Sequence, residues 1–321
     1  CRALLIGFSI FLFSGGAYAA LVKENIGLYG GYVADVEAYD RSGTTEILIA
    51  VDTSQGGIFR YSTPTSSSSV DWNSVTNPAG IAGAIPGKAS QVEASRANPG
   101  EVYAVLSNGR RSINKRLYGS TNFGLPSSGS LSWQEINLAS GDPIDEVELV
   151  KSHASGIYAA TRTAIFHKPA SSSAFAKVYD SGSSTAIVGF AVSSATLGYI
   201  ALVDSAGVHS FLETDWAASL TDLSSSLPPS APVQVRTSSC PILGGQCPLE
   251  IELVGSDPAD ATGKTVYIAG SSTNAQAFKS TDGGRTWNSG WDNECDSSSS
   301  GCAGYGFSDG YPRGDVIRFR G

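Results

Sequence analysis

Residues 265–287 have the sequence TVYIAGSSTNAQAFKSTDGGRTW, in which two β-rich runs are separated by a polar segment and followed by a glycine turn. Val, Ile, Tyr and Phe favour strands, whereas Gly, Asn and Ser favour the turns between them. The stretch therefore predicts two successive strands joined by a short connection.

The same order of runs recurs along the chain. The first run from Thr265 has counterparts in EILIAV from Glu46, EVYAV from Glu101, GIYAA from Gly156 and GYIAL from Gly198. The run from Gln276 has counterparts in GIFRYS from Gly57, RLYGS from Arg116, AIFHK from Ala164 and VHSFL from Val208. A further strand precedes each pair, as VEAY at Val36, VEAS at Val92, VELV at Val147, IVGF at Ile187 and IELV at Ile251.

These units repeat every 40 to 65 residues or so, the size of a propeller blade. A small sheet cannot bury both of its faces alone, so each unit must cover the next. A β-sandwich would not repeat this three-strand order, and a β-solenoid usually has shorter, more uniform turns. The sequence predicts an all-β β-propeller of five blades, plus the first strand of a sixth, VIRF at Val316. A complete ring would have six or seven blades, so the domain at residues 20–321 is expected to be truncated or closed by a partner.

The composition agrees with a turn-rich globular chain. The 321 residues are 41% hydrophobic and 16% charged, with 37 glycines, which is too apolar for general disorder and too rich in glycine for a long helical bundle. The formal net charge of −8 offers no basic face for phosphates, so nucleic acid is an unexpected partner.

The N-terminus has the layout of a secretory signal peptide. Arg2 is followed by an apolar run from Ala3 to Phe13, and residues 17–19 are an Ala-Tyr-Ala cleavage site. The run would rise only about 16 Å as a helix, too little to span a membrane. We therefore expect residues 1–19 to be removed and the protein to be secreted, periplasmic or on the cell surface. Lipidation of Cys1 is the alternative.

The remaining four cysteines form two pairs with equal spacing, Cys240 with Cys247 and Cys295 with Cys302. Each pair flanks a six-residue Gly- or Ser-rich loop, so we predict two local disulfides. A zinc site is disfavoured because the spacing is too long for a metal knuckle and no histidine lies nearby. The other pairings stay open.

The turn after Phe278 carries a specific motif, with Ser280, Asp282, Gly284 and Trp287 in the spacing S-x-D-x-G-x-x-W. This spacing resembles the Asp-box (BNR repeat) of the propeller superfamily that includes sialidases, xyloglucanases and sortilin-type receptors. Weaker copies are STNFG from Ser120, with Trp133, and YSTP, with Trp72. In that family the motif supports the fold, and the same role is expected here.

The first blade resembles that of xyloglucanases, in which a glycine-rich entry leads to an aspartate that acts as general base. The resemblance places Asp52 near that position and makes it the candidate catalytic residue. An inverting hydrolase needs a second carboxyl group, which that family takes from a second propeller. The other interpretation of Asp52 is a turn residue at a strand end. Sialidase activity is disfavoured because Phe59-Arg60-Tyr61 departs from the sialidase motif after its arginine.

Other candidates lie at predicted loops and first strands. Trp291, Asp292 and Tyr305 are candidate ligand-binding residues at a rim tied by the second cysteine pair. The glutamates of the VE and IE pairs are placed at equivalent positions of four blades, where they would form either a carboxylate ring at the channel or separately solvated groups: Glu37, Glu93, Glu148 and Glu252. The three histidines are expected in three different blades and lack metal-ligand spacing, so we expect neither a metal nor a cofactor: His153, His167 and His209.

Two functions follow. The first is an exported propeller that binds extracellular polysaccharide, as a xyloglucanase-like glycoside hydrolase or a fragment of one, with catalysis left open. The second is a noncatalytic surface or scaffold module that binds a protein or peptide, as the resemblance to sortilin-type receptors implies.

Overall fold

A computed structural model describes residues 33–41, 44–53, 56–62, 72–76, 85, 87–107, 115–125, 131–138, 146–216, 220–227, 251–257, 259–270 and 276–287. The predicted signal peptide, the four paired cysteines, the rim residues Trp291, Asp292 and Tyr305, and the VIRF strand all lie outside these ranges, and they remain predictions.

The described strands form five antiparallel sheets in chain order. Blade 1 contains β1 (Val33–Arg41), β2 (Thr44–Val51), β3 (Gly57–Ser62) and β4 (Trp72–Ser74). Blade 2 contains β5 (Lys88–Ala94), β6 (Val102–Ser107), β7 (Lys115–Ser120) and β8 (Gln134–Ile136). Blade 3 contains β9 (Val147–His153), β10 (Gly156–Thr161), β11 (Ala164–Pro169) and β12 (Ala176–Asp180). Blade 4 contains β13 (Thr185–Val192), β14 (Gly198–Asp204), β15 (His209–Thr214) and β16 (Leu220–Asp222). Blade 5 contains β17 (Ile251–Ser256), β18 (Val266–Gly270) and β19 (Gln276–Ser280).

The first strands of successive blades lie beside one another, so β1, β5, β9, β13 and β17 form the inner wall of the propeller. The predicted all-β propeller with five blades is therefore confirmed. In the described part of the chain the only helical segment is a short 3-10 turn, Ser224–Ser226, and no helix there is long and apolar enough to cross a membrane.

The buried core lies between blades. Each apolar cluster takes residues from two neighbouring sheets; for example, Leu48 and Ile58 of blade 1 pack in one cluster with Val92 and Leu106 of blade 2. The other three clusters join blades 2 with 3, 3 with 4, and 4 with 5 in the same way. This packing is the reason that one blade could not be stable alone.

Each first strand contains a β-bulge near its start. The positions of these bulges show which residues of the five first strands are equivalent. The bulge residue, skipped in the pairing with the second strand, is Ala34, Ser90, Glu148, Val188 or Glu252 in blades 1 to 5. Glu148 and Glu252 are therefore equivalent to each other, whereas Glu37 and Glu93 lie three positions further along their strands. The prediction of four equivalent glutamates was wrong because an extra residue moves the register of the strand.

Candidate functional site

One face of the propeller, here called the entry face, collects the starts of the first strands and the ends of the second strands. On this face a cavity of about 600 Å³ opens between blades 3, 4 and 5. Four aliphatic and three polar residues line it: Glu148, Leu149, Arg162, Ile187, Val188, His209 and Ile251. Its wall is polar and apolar in about equal parts, and its volume is large enough for a small ligand or a side chain of a partner.

The bulges of the first strands shape the wall of this cavity. Glu148 and Val188 are bulge residues, and Ile187 and Ile251 immediately precede the bulges of their strands. A bulge bends a strand and changes the direction of its side chains, so residues from three blades meet at this point. The backbone N–H of Ile187 donates to the carbonyl oxygen of Arg162 at 2.7 Å, which fixes the turn between β10 and β11 at the cavity wall.

The three polar residues of the cavity differ in their ion pairs and hydrogen bonds. The Glu148 carboxylate forms an ion pair with Lys115 of blade 2. His209 Nδ1 accepts a hydrogen bond from the backbone N–H of Ile251 at 3.2 Å. The exposed Arg162 guanidinium has no ion-pair partner among the described residues.

The inner strands of blades 1 to 3 are joined by side-chain acceptors. Asp35 Oδ2 accepts the N–H of Val92 at 3.0 Å, and Gln91 Oε1 accepts the N–H of Val150 at 2.7 Å. Glu93 Oε1 accepts the N–H of Ser152 at 3.2 Å. These side chains therefore satisfy backbone donors on the edge of the next blade.

This pairing bears on the proposed carboxylate ring. Glu93 accepts from the backbone of blade 3, and Glu148 pairs with Lys115 of blade 2, so each carboxylate has a partner of its own. Within the described ranges, no group of three or more His, Cys, Asp or Glu side chains could hold a metal ion.

Asp52, the candidate general base, follows β2 at the entry face. It forms a β-bridge with Lys88 of blade 2. Its Oδ1 lies 3.2 Å from Lys88 Nζ, an ion-pair distance, although this buried oxygen lacks the geometry of a hydrogen bond. Asp52 therefore links blades 1 and 2 while its carboxylate, 29% exposed, stays within reach of solvent. Arg60, by contrast, forms an ion pair with the buried Glu46 within blade 1.

The Ser280–Trp287 turn joins blade 5 to blade 4. Ser280 Oγ accepts the N–H of Gly284 at 2.8 Å and donates to Asp282 Oδ1 at 2.8 Å. Asp282 also accepts from the hydroxyl of Thr286 and from two backbone N–H groups, and these bonds, that of the Thr286 hydroxyl first, lower its pKa to about 2. The Trp287 ring packs against Phe211 of blade 4 with centroids 5.6 Å apart. Gly284 has φ +83°, and a Cβ there would lie 2.7 Å from the Phe211 ring.

The weaker copy of this turn in blade 2 repeats the two backbone hydrogen bonds that the serine hydroxyl accepts. Ser120 Oγ accepts the N–H of Gly124 at 3.1 Å and the N–H of Asn122 at 3.3 Å. The Trp133 indole donates to the Gly124 carbonyl at 3.2 Å. Ser120, Gly124 and Trp133 thus occupy the roles of Ser280, Gly284 and Trp287, despite the longer insertion before the tryptophan.

Blade 4 has a related turn that the sequence analysis missed. Thr214 Oγ1 accepts the N–H of Trp216 at 3.1 Å, and Trp216, at φ +59°, packs against Tyr158 of blade 3 with centroids 5.1 Å apart. The tryptophan follows the hydroxyl residue by two positions instead of seven, so the motif spacing could not reveal it. The signal in the sequence was a hydroxyl residue at the end of the third strand, Thr214, followed closely by a tryptophan, Trp216.

The other two histidines lie away from the cavity. His153 Nδ1 lies 2.8 Å from Ser155 Oγ in the turn between β9 and β10, and the His167 ring stacks on Tyr158 with centroids 4.1 Å apart. Burial lowers the pKa of both groups. Both lie in blade 3, on β9 and β11, so the expectation of three histidines in three different blades was wrong; only His209 lies in another blade, blade 4.

Several solved structures resemble this chain. A GH74 xyloglucanase from Xanthomonas campestris has 15% identity and a TM-score of 0.44 over 81% of this chain and 45% of its own. A GH74 enzyme from Niastella koreensis has 13% identity and a TM-score of 0.46 over 81% and 45%. YCF48 bound to D1 peptide has 14% identity and a TM-score of 0.44 over 80% and 66%.

The chain has a propeller fold. At these identities the likeness concerns the fold alone, and the predicted Asp-box-type propeller is consistent with the five sheets that the structure shows. The chain spans less than half the length of the two GH74 proteins. No protein-family model and no curated protein matches it.

Proposed function

We propose that the protein is a noncatalytic binding module that holds a peptide segment of a partner protein in the entry-face cavity. The observation that supports this proposal is the lining of the cavity, which combines aliphatic side chains with Glu148, Arg162 and His209 and contains no Phe, Tyr or Trp among the described residues. Aliphatic walls with a few polar groups suit amino-acid side chains, whereas sugar rings are held best by the faces of Trp and Tyr. If the predicted signal peptide is functional, the partner is extracellular or periplasmic.

Binding and cleavage of polysaccharide is the second candidate function. It is supported by the place of Asp52, whose partly exposed carboxylate lies at the same face as the cavity. The rim residues Trp291, Asp292 and Tyr305 would supply its sugar contacts. The second carboxyl group that hydrolysis requires would come from outside this chain.

The purified chain is expected to bind members of an arrayed peptide set and to leave an array of plant and microbial glycans unbound. Val188→Trp, which fills the cavity from its wall, should abolish this binding. Ala176→Trp, on the exposed outer strand of blade 3, is the matched control and should bind as the wild type does. Thermal unfolding of both variants shows whether the fold is retained.

The polysaccharide function predicts the opposite result on the two arrays. Glycan binding without peptide binding, accompanied by hydrolysis of a β-glucan that Asp52→Asn abolishes, would contradict the noncatalytic proposal. Asparagine has the shape of aspartate but cannot take a proton from water, so this variant separates catalysis from binding.

A further inference from the structure

We propose that the peptide carries a carboxylate next to an aliphatic side chain, and that Arg162 binds this carboxylate. The inference rests on the proposed function of the cavity and adds the chemistry of its ligand. Arg162 therefore becomes the residue that determines specificity, a role that no motif of the sequence indicates.

The first step of the argument is that Arg162 is held at the cavity but is not neutralised. Its carbonyl oxygen accepts the N–H of Ile187 at 2.7 Å, which anchors the residue between blades 3 and 4. Its exposed guanidinium has no carboxylate partner in the part of the chain that the structure describes. In contrast, seven other described cations form ion pairs: Arg60, Lys88, Lys115, Arg116, Lys168, Lys177 and Arg285.

The second step is that the remaining cavity groups leave a net positive charge at this point. The Glu148 carboxylate is compensated by Lys115. His209 accepts the N–H of Ile251 at Nδ1, so its neutral ring carries the proton on Nε2, a hydrogen-bond donor. In a chain with a net charge of −8, an uncompensated guanidinium in a cavity attracts an anion.

The third step is the match between the guanidinium and a carboxylate. A guanidinium presents a planar fork of N–H donors that matches the two oxygens of a carboxylate. Leu149, Ile187, Val188 and Ile251 form the apolar part of the same wall, so a neighbouring aliphatic side chain would leave water as the carboxylate binds. An Asp or Glu beside Leu, Ile or Val in an extended peptide supplies both groups.

The experiment uses the full chain and a phage-displayed library of random heptapeptides as the probe. Peptides recovered on the wild-type protein should contain Asp or Glu beside an aliphatic residue. The strongest binder is then synthesised in two forms, with its acidic residue and with the corresponding amide, Gln or Asn. The acidic form should bind the wild type about tenfold more tightly in fluorescence anisotropy.

Arg162→Gln should remove this difference between the two peptides without changing the affinity for the amide form. Arg96→Gln is the matched control, because Arg96 is also exposed but lies at the turn between β5 and β6, on the opposite face. Equal binding of the two peptides to the wild type, or a preference that survives Arg162→Gln, would overturn the inference while leaving peptide binding intact. Recovery of no peptide at all would refute the proposed function, and with it this inference.

Discussion

Replacing Trp133 by alanine is expected to lower the free energy of unfolding by about 3–5 kcal/mol, the usual cost of deleting a buried tryptophan. Trp133 is 5% exposed and belongs to the apolar cluster between blades 1 and 2. Its indole N–H also donates to the Gly124 carbonyl at 3.2 Å. Alanine would leave a cavity between the blades and remove the bond that closes the turn after β7.

Urea unfolding followed by circular dichroism measures this loss, and Trp133→Phe is the control. Phenylalanine keeps much of the apolar volume but cannot donate to Gly124, so its loss, which combines the missing hydrogen bond with a smaller cavity, should lie below that of alanine. A loss below about 1 kcal/mol for Trp133→Ala would mean that the cluster repacks and that Trp133 does not hold blades 1 and 2 together.

The repeat of strands was predictable because it depends on local chemistry. Val, Ile and Tyr in short runs, bounded by Gly, Asn and Ser, favour strands in any fold, and the predicted runs from Glu46, Glu101, Gly156, Gly198 and Thr265 fall on the second strands β2, β6, β10, β14 and β18. The Ser280 and Ser120 turns were also visible, since their hydrogen bonds lie within five residues.

The register of the first strands was not predictable, because a bulge is decided by contacts between blades. The similar letters VE led to the alignment of Glu93 with Glu148, but Glu93 is paired with Tyr103, whereas Glu148 is skipped. The cavity depends on the same bulges and on residues from three blades, so no local pattern of the sequence singled out Arg162. Only the assembled propeller brings it beside Ile187 of the next blade.

Asp35 shows how the inner strands depend on such contacts. It directly follows the bulge residue Ala34 and is 3% exposed. Its carboxylate accepts the N–H of Val36 at 2.9 Å through Oδ1 and the N–H of Val92 at 3.0 Å through Oδ2. One side chain therefore satisfies a donor on its own strand and a donor on the edge of the next blade.

Asp35→Ala is expected to destabilise the protein by about 1–3 kcal/mol for each of the two amides that lose their acceptor. Asp35→Asn should cost less, because its amide oxygen can still accept one of the two bonds, whereas its NH₂ group cannot accept the other. Urea unfolding gives both values, and hydrogen exchange of the Val92 amide should become faster in Asp35→Ala. Unchanged protection of that amide would show that another group replaces Asp35 at the junction of blades 1 and 2, and equal losses for the two variants would show that the cost is one of packing and not of hydrogen bonding.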